Sequence, residues 1–198
     1  AGGSEVHAAE VARLWSEAGL EVVMRTSYAQ GHPPRATRDG YQVIRKAGVT
    51  GVVSLVLGIV ISFIVGGVIA LMFGYSDAIS MTTLGAGAAT YIVGPVTGTA
   101  LGASSEVIAL SVAAGLIKSV MVMIGTPFIA PLIGLNNPKT AMAYGGLMGT
   151  TSGVAGGLAA TDKRLVPYGA MTATFYTGLG CLLGPSLMYF MFRAVMGG

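Results

Sequence analysis

Polar side chains are scarce through most of this chain, and where hydroxyls gather they gather beside glycine. Thr150-Thr151-Ser152-Gly153 lies at the centre of Met142–Thr161, a stretch long enough to cross a bilayer that nevertheless holds six glycines. A second such place is Tyr91-Ile-Val-Gly94-Pro95-Val-Thr97-Gly98. Hydroxyls and bare backbone at mid-membrane depth need protein or water around them rather than lipid. The chemistry they offer is ion binding without reaction. Interrupted helices present amides and a positive dipole end to carboxylates, while unwound carbonyls and Thr or Ser hydroxyls suit Na⁺. The candidate ligands for a small anion are therefore Thr150, Thr151, Ser152 and Gly153 together with Gly94, Pro95, Thr97 and Gly98. Tyr91 and Lys118 join them, and Thr97 and Thr151 are candidate oxygen ligands for sodium.

The remaining inventory excludes several classes of catalyst. Both histidines, His7 and His32, precede residue 47, so the apolar part has no imidazole for a Ser-His hydrolase or a His-based metal site. Cys181 is the sole cysteine and has no partner for thiol chemistry. No Gly-Lys-Ser/Thr phosphate loop and no dinucleotide fingerprint is present. An enzyme and an ATP-driven pump are both disfavoured, and no cofactor is expected.

The elements that must position these groups follow from composition. Of 198 residues 53% are apolar and 10% charged, with a mean hydropathy of +0.74, where soluble domains carry about 25% charge. Eleven of the nineteen charged residues fall within residues 1–46, which divides the chain into a polar flank (1–46) and a membrane domain (47–198). The net charge of +3 is too small and dispersed for a nucleic-acid surface. In the flank, Ala8–Met24 is weakly amphipathic and predicts a short helix. The Pro pair and glycines of residues 28–40 predict a linker, and no apolar stretch there resembles a signal peptide. Val49–Phe73 supplies about 25 uncharged residues where a span needs about 20. It follows Arg35, Arg38, Arg45 and Lys46, which favours the cytoplasmic side for the flank.

Residues 79–101 form a Gly/Thr-rich segment that Pro95 is expected to break by removing a backbone donor. Glu106–Gly125 is a more ordinary span carrying Lys118 at its middle. That ammonium must snorkel, pair with a carboxylate or face water. Met142–Thr161 is the second interrupted segment and Tyr168–Phe192 the last uncharged run. The expected fold is an all-α integral membrane protein with about five transmembrane segments, two of them discontinuous. A shift of 58 positions superposes Thr82 on Thr140, Gly87 on Gly145, Val96 on Val154, Gly98 on Gly156 and Pro127 on Pro185. An odd number of crossings between the two starts would make this an inverted repeat, whose paired interrupted segments point to a midplane site.

Gly145–Asp162 and the following Leu165–Leu183, with Gly85–Gly98 and Lys46–Gly51 before them, resemble the MadM subunit of bacterial malonate carriers. The resemblance covers about residues 45–193. It implies a sodium-coupled malonate symporter that works with a second small membrane subunit, MadL, as a multi-pass protein of the bacterial cytoplasmic (inner) membrane. It also implies further spans ahead of Lys46, where this chain has a polar, Arg-containing stretch. Two other readings accommodate the Gly-rich spans: a membrane subunit of a sodium-pumping decarboxylase, or an exporter-like or holin-regulating membrane protein. The first would favour carboxylates inside the spans, yet Asp77, Glu106 and Asp162 stand at predicted ends.

Overall fold

The computed structural model describes residues 35–196, with side-chain surroundings from Gly51 onward. The chain divides into residues 1–46 and 47–198, and the second unit is the one described below. The helix expected over Ala8–Met24 lies outside the described residues. So does the expected linker up to residue 34; from Arg35 the chain is already helical.

All regular structure among the described residues is helical. Three helical stretches are long and apolar enough to cross a membrane: Gly51–Met72, Ser105–Ile129 and Lys163–Met196. The first belongs to α1 (Arg35–Met72) and the second is α4 (Ser105–Ile129). The third joins a 3₁₀ turn, α7 (Val166–Leu183), one π-helical turn (Gly184–Met188) and α8 (Tyr189–Met196). Each Gly/Thr-rich segment is split in two. The first gives α2 (Ala78–Ala89) and α3 (Val93–Leu101), the second α5 (Pro138–Met148) and α6 (Thr151–Thr161).

Local chemistry explains where these pieces begin and end. The Asp77 carboxylate accepts from the Ser80 amide and starts α2; Asn137 and Thr140 form a capping box that starts α5, with Pro138 at the first helical position. Gly149 takes the left-handed conformation (φ 73°) that ends α5, a place where a side chain would be strained. In the first segment the interruption is not at Pro95. Thr90 is extended (φ −161°, ψ 151°), and Pro95 is the third residue of the next half-helix. Proline is tolerated in a first turn, where its fixed φ suits the helix and only the Tyr91 carbonyl of the tip goes without an amide.

Neither split segment runs straight on. Thr83 and Gly98 would lie about 22 Å apart in one continuous helix, yet a Cβ on Gly98 would sit 2.7 Å from Thr83 Cγ2. Ala141 and Leu158 would be about 26 Å apart, yet both border the same point beside Gly169, the Ala141 carbonyl at 3.2 Å. Each segment is therefore a hairpin of two half-helices. Two of the five expected segments take this form, beside three of full length.

The long helices show how the hairpins meet. Along α4, Ile108 and Ser111 lie against the arms of the first hairpin at Gly98, Gly94 and Gly87, and Gly115 lies against its tip at Tyr91. One turn on, Ser119 lies against the second tip at Gly153, and Met123 and Thr126 against its arm at Gly156 and Gly157. The order reverses along α7, where Gly169 packs on the second hairpin's arms, Tyr176 on its tip at Gly149, Gly180 on Val93 and Gly184 on Thr97. On α1, Gly58 abuts Gly146 of the second hairpin and Gly66 abuts Gly85 of the first. The hairpins thus enter from opposite ends of the bundle, with tips about one helical turn, roughly 6 Å, apart along α4.

Glycine is what lets the backbones come this close, and small residues serve the same end at helix contacts in membranes generally. The contacts Gly87·Ser111 and Gly145·Gly169 are equivalent at a shift of 58 residues, while the caps Asp77 and Asn137 and the breaks Thr90 and Thr150 match at 60. Away from the hairpins, α4 turns Ile117, Met121 and Ile124 outward at 62%, 68% and 59% exposure. Apolar surface of that extent is what a bilayer or another chain covers.

A Cβ at Gly145 would collide with the Gly169 backbone, whereas Gly125 has nothing within 4 Å. Gly145→Ala should destabilise the protein by about 1–3 kcal/mol through overpacking. Gly125→Ala on the outer face should stay within about 0.5 kcal/mol of the parent. Thermal unfolding of the two variants in detergent micelles checks the contrast.

Candidate functional site

The two tips converge on a short stretch of α4, and the chain's one charged group at mid-span stands there. Lys118 is the fourteenth of the 25 residues of α4. Leaving an ammonium at that depth in lipid costs about 2.5–3.5 kcal/mol on insertion scales. Among the described residues it pairs with no carboxylate. Its Nζ donates to the Ala89 carbonyl (2.9 Å), the last residue of α2, and to Ser62 Oγ on α1 (3.4 Å). It also stands over the Tyr176 ring, 5.6 Å from the centroid. A carbonyl at a helix C-terminus carries partial negative charge, so the first tip supplies the ammonium with dipole rather than ionic compensation.

Tyr176 ties the other side together. Fully buried, it donates from its hydroxyl to Ser62 Oγ (2.8 Å) and the Gly58 carbonyl (3.1 Å) of α1, while its ring closes against Gly149 at the second tip. Next to Lys118, the Ser119 hydroxyl bonds those of Thr150 and Ser152, the latter at 3.0 Å. Thr150 is the N-cap of α6, yet its side chain makes no cap bond, so the first amides of that half-helix keep their donors free for a ligand. The first amides of α3 are instead already bonded at their own tip, Ile92 to Thr90 Oγ1 and Val93 and Gly94 to the Thr90 carbonyl. One helix N-terminus, the hydroxyls beside it and one ammonium therefore stand around one place, a combination suited to a small anion with two carboxylates.

The candidate residues divide accordingly. Thr150, Ser152 and Gly153 gather at Ser119, Thr151 opens α6 beside them, and Lys118 lies one residue away on α4. Tyr91 lies at the first tip against Gly115. Gly94 and Gly98 are instead buried between the arms of their own hairpin and α4, where a Cβ on Gly94 would sit 3.1 Å from the Gly87 Cα and one on Gly98 would meet Ile108 and Thr83. Pro95 sits in the first turn of α3, and Thr97 lies farther along that arm beside Gly184.

Ser62, Ser119, Tyr176 and the Ala89 carbonyl were not among the candidates from sequence. Only the adjacency of Ser119 to Lys118 offered a signal, because the other three arrive from distant turns of the chain. Among the described residues no group of three or more His, Cys, Asp or Glu side chains could hold a metal. Any cation would have to rest on neutral oxygens. A groove of about 1040 Å³ runs along α4 from Glu106 to Ile129 and reaches Lys118, with Gly66, Ala88, Thr126 and Tyr144 on its walls.

Among known families, residues 35–196 match the model of the one described as Malonate/sodium symporter MadM subunit. No curated protein and no solved structure matches the chain.

Removing the Tyr176 hydroxyl takes one donor from the half-buried Ser62 and from the Gly58 carbonyl, each of which keeps another, Lys118 for Ser62 and the helix for Gly58. Tyr176→Phe should cost about 0.5–1.5 kcal/mol, the usual net contribution of a hydrogen bond. A denaturation midpoint indistinguishable from the parent's would show that these bonds do not hold the second tip.

Proposed function

The chain belongs to the MadM family of malonate/sodium symporter subunits, and from that premise we propose that malonate binds between the two hairpin tips with Lys118 as its counter-charge. The observation that carries this is the convergence of the ammonium with the uncapped N-terminus of α6 and the hydroxyls gathered beside it. One carboxylate of the dianion pairs with Lys118 in place of the Ala89 carbonyl. The other accepts from the α6 amides and the hydroxyls of Ser119, Thr150 and Ser152. Thr151 and Tyr91 complete the lining, while Gly94, Pro95 and Gly98 act on it only by shaping the first hairpin. Sodium neutralises part of the charge that the dianion brings, since one lysine balances only one of its two negative charges.

The two hairpin-plus-helix units, 78–129 and 138–196, are on this reading an inverted repeat. Each hairpin enters from and returns to one side, so only α4 crosses between the two starts. Residues 1–46 would then be a flank on the cytoplasmic side of a bacterial inner membrane, followed by three crossings. Lys139, Lys163 and Arg164 come to the same side as Arg45 and Lys46, whereas five full crossings would put Lys139 outside. Asp162 is also on that side, where the Arg164 guanidinium bonded to it (2.9 Å) draws its carboxyl below the ordinary carboxylate range. The groove along α4 sets Lys118, Thr126 and Tyr144 in a wall that is otherwise apolar apart from Tyr75 and Glu106, and we assign that face to the second, MadL-like subunit.

Charge-assisted bonds contribute about 1.5–3 kcal/mol. Lys118→Gln should therefore weaken malonate binding by about 10- to 100-fold, with Lys118→Arg retaining part of it. Uptake of labelled malonate by membrane vesicles, with and without an inward Na⁺ gradient, checks both points. Saturation unchanged by Lys118→Gln would overturn the site, and gradient-independent uptake would overturn the coupling. For the topology, Lys139→Cys should react with an impermeant maleimide only from the cytoplasmic side and Asp77→Cys only from the opposite side. Labelling of both from one side would contradict the inverted arrangement.

A further inference from the structure

One buried hydroxyl has nothing to bond. Thr97 is fully buried on α3, and among the described residues its Oγ1 is the one buried side-chain oxygen or nitrogen without a hydrogen-bond partner. Buried hydroxyls of helical threonines usually return their proton to the carbonyl four residues back. Thr82, Thr83, Thr126 and Thr172 all do so, to Ala78, Ile79, Val122 and Tyr168. Thr97 instead turns away from its own helix and meets Gly184, the first residue of the π-helical turn.

That turn has a loose acceptor of its own. Pro185 has no N–H, so the helical carbonyl four residues earlier, that of Cys181, loses its regular donor, while the next carbonyl, that of Leu182, accepts from Ser186 Oγ (2.6 Å). Single π turns inside helices recur at functional sites. Gly184 is buried and has no side chain to keep the hydroxyl away from the backbone. A neutral hydroxyl beside a freed carbonyl is the kind of oxygen set that suits a monovalent cation at an interrupted membrane helix.

The repeat supplies an internal comparison. At the equivalent place in the other unit the residue types are exchanged: Thr126, followed by Pro127 on α4, meets Gly157 on α6. There the hydroxyl is fully occupied, by the Val122 carbonyl and by the Tyr144 hydroxyl (2.7 Å). The pair of contacts is otherwise alike, so only the Thr97 member keeps a vacant oxygen.

We propose that the coupling sodium ion binds where Thr97 meets the Gly184–Pro185 turn, held by the Thr97 hydroxyl and by the Cys181 carbonyl that Pro185 frees on α7. This place lies four residues along α3 from Val93 at the first tip, and four along α7 from Gly180, which packs on Val93. Cation and malonate therefore occupy neighbouring sites, and one hairpin arm belongs to both. Binding of the ion fixes α3 against α7 and so holds the first tip, whose Ala89 carbonyl meets Lys118, in place beside the anion. The proposal rests on the symport reading above.

The test compares Thr97→Val, which keeps the shape and removes the oxygen, with Thr97→Ser, which restores it. In vesicles from cells that express the complete carrier, Thr97→Val should raise the Na⁺ concentration for half-maximal malonate uptake by about tenfold or more. The malonate KM at saturating Na⁺ should stay within about twofold, Thr97→Ser should resemble the parent, and Thr126→Val should leave the Na⁺ dependence where it was. The purified full chain should also gain thermal stability from NaCl over choline chloride, and Thr97→Val should lose that gain. If Thr97→Val does not accumulate, Thr97→Cys offers a thiol of similar size and poor affinity for Na⁺. A Na⁺ half-saturation within twofold of the parent in either variant overturns the assignment. Parent uptake that ignores Na⁺ altogether would instead refute the symport reading.

Discussion

A helix that stops inside a membrane leaves up to four amides and four carbonyls without partners, and lipid can satisfy none of them. Two such stops occur within about one turn of each other here, and the rest of the fold is arranged around answering them. Lys118 gives its proton to the carbonyl that ends α2. Gly149 turns left-handed to end α5 and is sealed by the Tyr176 ring. The amides that begin α3 are taken up by Thr90, whereas those that begin α6 have no side-chain cap, so the same constraint that shapes the fold leaves a ready place for an anion.

Close backbone approach makes that arrangement possible. In a bilayer the packing of two helices gains little from apolar burial, because lipid tails are equally apolar, and depends on how near the backbones can come. Gly87 against Ser111, Gly145 against Gly169 and Gly58 against Gly146 are contacts that a methyl group would prevent. They bind each long helix to both hairpins, α4 at residues 108–115 for the first and 119–126 for the second, with α7 in the reverse order. A displacement of one tip is therefore felt at the other through Lys118, Ser119 and Tyr176. That mechanical link is what coupling between an anion at the tips and a cation on a hairpin arm requires.

Several features were legible before any coordinates. The scarcity of charge and the length of the uncharged runs marked the spans, the glycines with hydroxyls marked both interruptions, and the odd lysine at mid-span marked α4. The resemblance over about residues 45–193 pointed to the family to which the match over residues 35–196 assigns the chain. Less was legible about the first break, because Pro95 drew attention while the chain actually turns at Thr90. Proline disrupts a helix in its interior but is tolerated in a first turn, and which residue opens a helix is not visible from the proline itself.

The amino-acid order alone determined which segments enter the membrane, that two of them cannot be regular helices, and that neutral oxygens with one ammonium are the chemistry available. These are properties of local composition and backbone geometry, and each can be read within about twenty residues. Only the tertiary structure decided that the broken segments fold back as hairpins from opposite ends. It also brought Ser62, Ala89, Tyr176 and Thr150 to one lysine and left Thr97 without a bond while Thr126 has two. Those outcomes depend on contacts between residues up to 118 positions apart, such as Tyr176 with Gly58. No local pattern encodes them, because the partner of each group is chosen by how glycine-lined helices pack.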